Sequence, residues 1–155
     1  MTSADLERIR ALDHISFSLP WPDSSFKFEV EENQVSRCWV AETPLPDGSM
    51  FIAAMIVTWL IVDELHIATL AVDPAYRRQG IAQRLLAFTL LDALRSGAVC
   101  SFLEVRAGNL AARSLYSRFG YMEIGIRKRY YQDNGEDAVM MNLEKLDQAL
   151  LESLQ

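Results

Sequence analysis

The sequence predicts an α+β fold in which helices flank a central mixed, mostly antiparallel sheet. Three observations predict it. The chain has 155 residues and is 50% apolar, which suits a single domain spanning 1–155 with one core. Its first extended runs follow one another with only short turns between them, the pattern of a meander. Farther on, extended and helical periodicities alternate, and strands that bracket a helix require one parallel section within the sheet.

Along the chain, Leu6, Ile9, Leu12 and Ile15 set a helical spacing from about Ala4 to Phe17, and Pro20-Trp21-Pro22 breaks it into a loop. Ser25 to Glu32 begins a second short helix. Cys38–Ala41, Met50–Ile61 and Leu65–Val72 read as strands, with turn chemistry at Pro44–Gly48 and Asp63-Glu64. Ile81, Leu85, Phe88 and Leu91 then form an amphipathic helical stripe that stops near Gly97. Val99–Val105 is a strand, Asn109 caps a helix that Gly120 ends, and Tyr121–Ile126 returns to extended chain. Val139–Leu143 closes the sheet, and Leu143, Leu146, Leu150 and Leu154 place a helical extension over 143–155 that packs on the body or on a partner.

Composition excludes several classes. The longest apolar stretch, Met50 to Val62, is too short for a membrane-spanning helix, and the N-terminus lacks the basic start of a signal peptide, so a soluble, cytoplasmic protein is expected. A formal net charge of −6 argues against a nucleic-acid partner and suits a basic one better. Cys38 and Cys100 lie far apart with no neighbouring His cluster, which leaves free thiols and no metal site. His66 alternates with apolar neighbours as a sheet-face residue, and His14 belongs to the surface of the first helix.

The informative run is Leu70-Ala71-Val72-Asp73-Pro74-Ala75-Tyr76-Arg77-Arg78-Gln79-Gly80-Ile81-Ala82, a strand, a tight turn and a helix start with small residues at its first turn. A helix N-terminus offers unpaired N–H groups and the positive end of the dipole, so a diphosphate can sit on backbone that no side chain covers. Arg77 and Arg78 add charge. Downstream, Glu104 lies inside an apolar strand and Tyr116 on the helix that follows. Acyl transfer to an amine needs those two roles, a base for the ammonium proton and a donor for the departing thiolate.

Arg77, Gly80 and Ala82 resemble the Q/R-x-x-G-x-G/A loop of the GNAT acetyltransferases. The linked set E-V-R-x-x-N-x-x-A-x-x-L-Y from Glu104, R-x-x-Y-Y ending at Tyr131 and G-E-D-A-x-x-M from Gly135 is similar to the RimI-type ribosomal-protein-S18-alanine N-acetyltransferases. The resemblance runs from about Pro20 to Leu143. It implies the GNAT acyl-CoA N-acyltransferase fold, acetyl-CoA as cosubstrate without a metal, and the N-terminal alanine of ribosomal protein S18 as acceptor.

By the same resemblance Glu104 is the general base and Tyr116 the acid. Arg77, Arg78, Gln79, Gly80, Ile81 and Ala82 hold the pyrophosphate, Leu70 and Val72 hold the pantetheine and acetyl carbonyl through their backbone, and Asn109 contacts the cofactor arm. The strand carrying Leu70 is implied to splay from its neighbour. Leu19 and Trp21 form one wall of the substrate groove, and Tyr130 and Tyr131 the other. Ala82 and Thr69 depart from the commoner Gly and Asn of the family. Two further readings stay open: the same fold acting on a small-molecule amine, and a non-catalytic acyl-CoA-binding module.

Overall fold

The computed structural model describes residues 1–155 throughout. Helices α1 (Leu6–Ser16) and α2 (Asp23–Glu31) precede strands β1 (Ser36–Pro44), β2 (Met50–Ile61) and β3 (Glu64–Val72). Then come α3 (Ile81–Arg95), β4 (Cys100–Arg106), α4 (Leu110–Arg118), β5 (Met122–Tyr131), β6 (Glu136–Leu143) and α5 (Gln148–Ser153). The six strands form one sheet in the order β1-β2-β3-β4-β6-β5. Only β3 and β4 run parallel, because α3 carries the chain back to the starting edge between them.

One face of the sheet packs on α3, α4 and the C-terminal segment through Leu86, Leu90, Phe119 and Leu151. On the other face α1 and α2 bury Ile9, Leu12 and Phe26 against Met55, Val57 and Ala71. That second core contains no residue of β4, β5 or β6, so this half of the sheet face is left open beside α1 and α2. No helix is long and apolar enough to cross a membrane.

Several expectations shift by a few residues. Ile15 is not part of the α1 core face; it is exposed, and Asp13 is buried in its place. Successive steps of three residues drift by about 60° on a helix of 3.6 residues per turn, so the fourth member of the stripe has left the face that Asp13 enters. Strand β5 continues five residues past Ile126 to Tyr131, and the last helix begins at Gln148 after a short connection that buries Leu146. It packs on α3, where Gln83 donates to the Leu154 carbonyl at 3.1 Å.

The feature that makes the site is a break between β3 and β4. They pair only from Glu64–Ile67 to Cys100–Leu103. At that point β3 bulges: Thr69 pairs with Val57 and Ile67 with Thr58, which leaves Ala68 as the extra residue. The bulge switches which side chains face the α3 core, from Leu65 and Ile67 before it to Leu70 and Val72 after it. Beyond the bulge the two strands part.

Candidate active site

The parting of β3 and β4 opens two cavities that meet at the sheet. The smaller, about 380 Å³, is lined by Leu70, Asn109 and Tyr116 among others. The larger, about 610 Å³, is lined by Trp59, His66, Phe102, Tyr130 and Met140 among others and is mostly apolar. Trp21, Ile67, Ala68, Leu103, Glu104 and Tyr131 line both. Glu104 is therefore the one carboxylate in the shared wall, and Tyr116 lies on the small-cavity side.

Period-two alternation on β4 puts Leu103 and Val105 into the α3 core and turns Glu104 to the opposite face. Its Oε1 forms an ion pair with the Arg127 guanidinium, 3.0 Å from Nε, while the Nε–H itself donates to Met140 Sδ at 3.4 Å. The guanidinium of Arg127 also lies 5.5 Å from the Tyr130 ring centroid. The Glu104 carboxylate beside it raises the Tyr130 phenol above its ordinary value, with burial acting the same way. Tyr116 is 6% exposed, and burial pushes its phenol well above the usual tyrosine range. It therefore stays protonated through neutral and mildly alkaline pH and can serve as a donor.

The loop before α3 has the geometry of an anion cradle. Arg78 and Gly80 are both left-handed, at φ 65° and 76°, a turn that lines up successive N–H groups. The first α3 bond runs from Arg84 N to Gly80 O at 3.0 Å, so the N–H groups of Ile81, Ala82 and Gln83 have no partner within the helix. Gly80, Arg78 and Gln79 are exposed. These residues fit a diphosphate. Arg77 is anchored beside this turn by its Nε, which donates to the Val72 carbonyl at 3.0 Å.

On β3, Asp73 N–H bonds the Ala53 carbonyl of β2 at 2.8 Å, so the Leu70 backbone groups and the Val72 N–H point the other way, into the gap, while the Val72 carbonyl on that side is taken by Arg77. Asn109 is the cap of α4: its Oδ1 accepts from Ala112 N at 3.1 Å, which leaves the amide NH₂ for the cavity it lines.

Of the four expected wall residues, Trp21 and Tyr131 line both cavities, Tyr130 only the larger and Leu19 only the smaller. Leu19 and Trp21 lie in the α1–α2 loop, where Trp21 stacks on Phe26 at 5.1 Å. The buried Asp13 carboxylate accepts the Trp21 N–H at 2.7 Å and fixes that loop to α1. Opposite, Tyr130 and Tyr131 would point to opposite faces of a regular strand, yet both line the larger cavity. The reason is a register break between Arg127 and Tyr131 with Arg129 left-handed at φ 53°. The Arg129 N–H donates to Asp137 Oδ1 at 2.8 Å, which holds that conformation.

Sequence reasoning gave Arg127 no role, although it opens the R-x-x-Y-Y motif, and none to Arg106, Ser18 or Asp133. His66 is a sheet-face residue that lines the larger cavity, stacked on Phe102 at 5.5 Å. His14 is exposed and pairs with Asp23 at 3.6 Å. Cys100 lines neither cavity. Burial and then the Glu64 and Asp63 carboxylates push its thiol up, the wrong direction for a nucleophile.

A sheet split at its one parallel pair, with a phosphate-type cradle at the next helix start, is the arrangement of an acyl-CoA-dependent transferase. Residues 6–121 match the model of the acetyltransferase (GNAT) family, and the chain belongs to that family. It is an acetyl-CoA-dependent N-acetyltransferase. It is 33% identical to the ribosomal protein bS18-alanine N-acetyltransferase of Escherichia coli, covering 92% of this chain and 93% of that one. It is 36% identical to the N-alpha-acetyltransferase RimI of Mycobacterium tuberculosis, over 95% and 91% of the two chains. The crystal structure of the Escherichia coli S18-alanine enzyme superposes with a TM-score of 0.82 over 95% of this chain and 91% of that one, at 30% identity.

Proposed function

We propose that this enzyme acetylates the N-terminal α-amine of a protein beginning with alanine, with ribosomal protein S18 as the leading substrate. The observation that carries the reading is the position of Glu104, in the wall common to a small cavity and a large apolar cleft. Acetyl-CoA enters the small cavity with its pyrophosphate on the backbone of Arg78 to Ala82 and its thioester beside Leu70 and Val72. The peptide end enters from the larger cleft, between Trp21 on one side and Tyr130 and Tyr131 on the other, with Leu19 on the side of the smaller cavity.

The chemistry follows from that placement. Glu104, directly or through a water, takes the proton of the α-ammonium, and the freed nitrogen pair attacks the thioester carbonyl. Collapse of the tetrahedral adduct breaks the C–S bond, the sulfur receives the Tyr116 proton as CoA leaves, and the second proton of the attacking nitrogen returns to the Tyr116 phenolate, directly or through water, as the neutral amide forms. An α-amine with a pKa near about 8 suits this mild base better than a lysine at about 10.4. The Arg127 contact on Glu104 must open or rotate as the amine arrives, because both claim the same carboxylate.

The test is a panel of peptides with one common tail and Ala, Ser, Met or Phe first, plus an N-blocked copy that offers only lysine. CoA release and product mass are measured. Ala and Ser should lead and the blocked peptide should stay unmodified. Preference for the blocked peptide or for a free small amine refutes the N-terminal assignment, and equal rates for Ala and Phe refute a narrow slot.

A further inference from the structure

We propose that Arg106 is a positioning residue that fixes the width of the peptide slot by clasping its two walls together; this inference rests on the peptide-slot reading. Arg106 ends β4, two residues after Glu104 and therefore on the same face. Its guanidinium reaches both loops that carry the walls. Nη2 donates to Ser18 Oγ of the α1–α2 loop at 3.2 Å and to Asp133 Oδ2 of the β5–β6 turn at 2.9 Å. Nη1 reaches Asp133 Oδ1 at 3.1 Å, and Asn134 Oδ1 and Glu136 Oε2 at 3.3 Å. Ser18 itself donates to Asp133, closing a triangle across the opening.

The same guanidinium lies 3.8 Å from the centroid of the Tyr131 ring, so it also sets the plane of a wall residue. Arg106 is held from below. Glu136 Oε1 accepts the Gly108 N–H at 2.7 Å, and a Cβ on residue 108 would sit 2.9 Å from that oxygen and displace the carboxylate. The Arg106 and Asp133 side chains are 22% and 16% exposed, and the paired fork adds a fixed geometry to their contact.

This network does not include the cradle before α3, although Arg106 and Ser18 line the smaller cavity. The clasp should thus act chiefly on peptide binding and much less on acetyl-CoA binding. A lysine keeps the charge at 106 and loses the planar fork, so it should restore only part of the effect.

The experiment compares wild type with Arg106→Met, Arg106→Lys, Ser18→Ala and the Arg106→Met/Ser18→Ala pair. Steady-state kinetics use an alanine-starting peptide, titration gives acetyl-CoA affinity, and hydrogen exchange follows the amides of residues 17–21 and 131–135. Peptide KM should rise about 10-fold in Arg106→Met and about threefold in Ser18→Ala, with kcat at saturation within about twofold. Arg106→Lys should fall between wild type and Arg106→Met. The pair should be no worse than Arg106→Met alone, because both links belong to one clasp. Exchange should quicken in both loops together in Arg106→Met, and acetyl-CoA affinity should change by much less than peptide KM.

Unchanged peptide KM and unchanged loop exchange in the Arg106→Met and Ser18→Ala proteins overturn the clasp while wild-type peptide acetylation keeps the functional reading intact. A matching loss of acetyl-CoA affinity also overturns it, by making Arg106 a general structural support. Wild-type protein that acetylates no peptide N-terminus refutes the functional reading itself, and the slot-setting role with it.

Discussion

Tyr116 and Tyr121 are neighbours with opposite expected consequences. Their rings lie 5.6 Å apart and tilted by 60°, and both are buried, at 6% and 3% exposure. The Tyr121 hydroxyl donates to Ser101 Oγ at 2.6 Å, whereas Tyr116 lines the small cavity beside Glu104. Removing one oxygen from each therefore separates stability from catalysis. Tyr121→Phe leaves the fully buried Ser101 hydroxyl without its partner, a cost of about 1–3 kcal/mol. For a chain of this size that lowers Tm by roughly 3–10 °C. Its kcat should remain near wild type at a temperature where the variant is folded. Tyr116→Phe keeps the ring and its packing, so Tm should move by less than about 2 °C, within the range of a substitution that breaks no buried contact. Its kcat should fall on the order of 10²-fold, a barrier increase of about 2.7 kcal/mol. Thermal melts beside saturating steady-state rates on an alanine-starting peptide make the comparison. A Tyr116→Phe protein with kcat within about twofold of wild type would refute the phenol as proton donor, whatever its Tm.

Three further outcomes follow from the same geometry. Glu104→Gln should lower kcat on the order of 10²-fold with acetyl-CoA affinity unchanged, because the lost group acts on the amine and not on the cofactor; rates and a cofactor titration check both halves. Gly80→Val forces a branched side chain to φ 76° at the cradle, so acetyl-CoA binding should weaken at least about 10-fold, consistent with a strain of about 1–3 kcal/mol in that turn, and unchanged affinity by calorimetry counts against the cradle. Contact with Arg106 and then Ser18 lowers Asp133, and the Gly108 N–H lowers Glu136. Their stabilisation is thus present above the ordinary carboxylate range and lost as pH falls below about 4, so Tm should drop there, and Arg106→Met should flatten that drop.

Much of the fold was legible because apolar periodicity and turn residues agree, as at Ile81–Arg95 and at the Gly120 stop. The break that builds the site was expected from the resemblance, and a local signal of it also stands in the sequence. Leu65 and Ile67 occupy odd positions of β3, Leu70 and Val72 even ones, and all four face the same core. An alternation that changes parity within one strand requires a bulge between, which is Ala68. Other features have no local signal. Arg129 adopts φ 53°, which no sequence rule assigns to arginine, and it is held there by Asp137, eight residues away. Charge is also unevenly distributed. The net −6 suggests a basic partner, yet β5, at the rim of the larger cleft, carries Arg127, Lys128 and Arg129 in succession. A total says nothing about where charge stands, and steering depends on the rim.

The linked motifs make a different point, since they lie tens of residues apart in the chain and were read as separate marks of one resemblance. In space they are one contact set. Arg127 of R-x-x-Y-Y pairs with Glu104 of E-V-R. Arg106 of E-V-R stacks on Tyr131 of R-x-x-Y-Y and bonds Glu136 of G-E-D. Asp137 of G-E-D holds the backbone of Arg129, which aims both tyrosines. Each motif therefore supplies a charge whose partner lies in another, and losing one leaves a half-buried ion without its counterion. The three occur together because β4, β5 and β6 are adjacent strands, and their shared end is where the amine must meet its base.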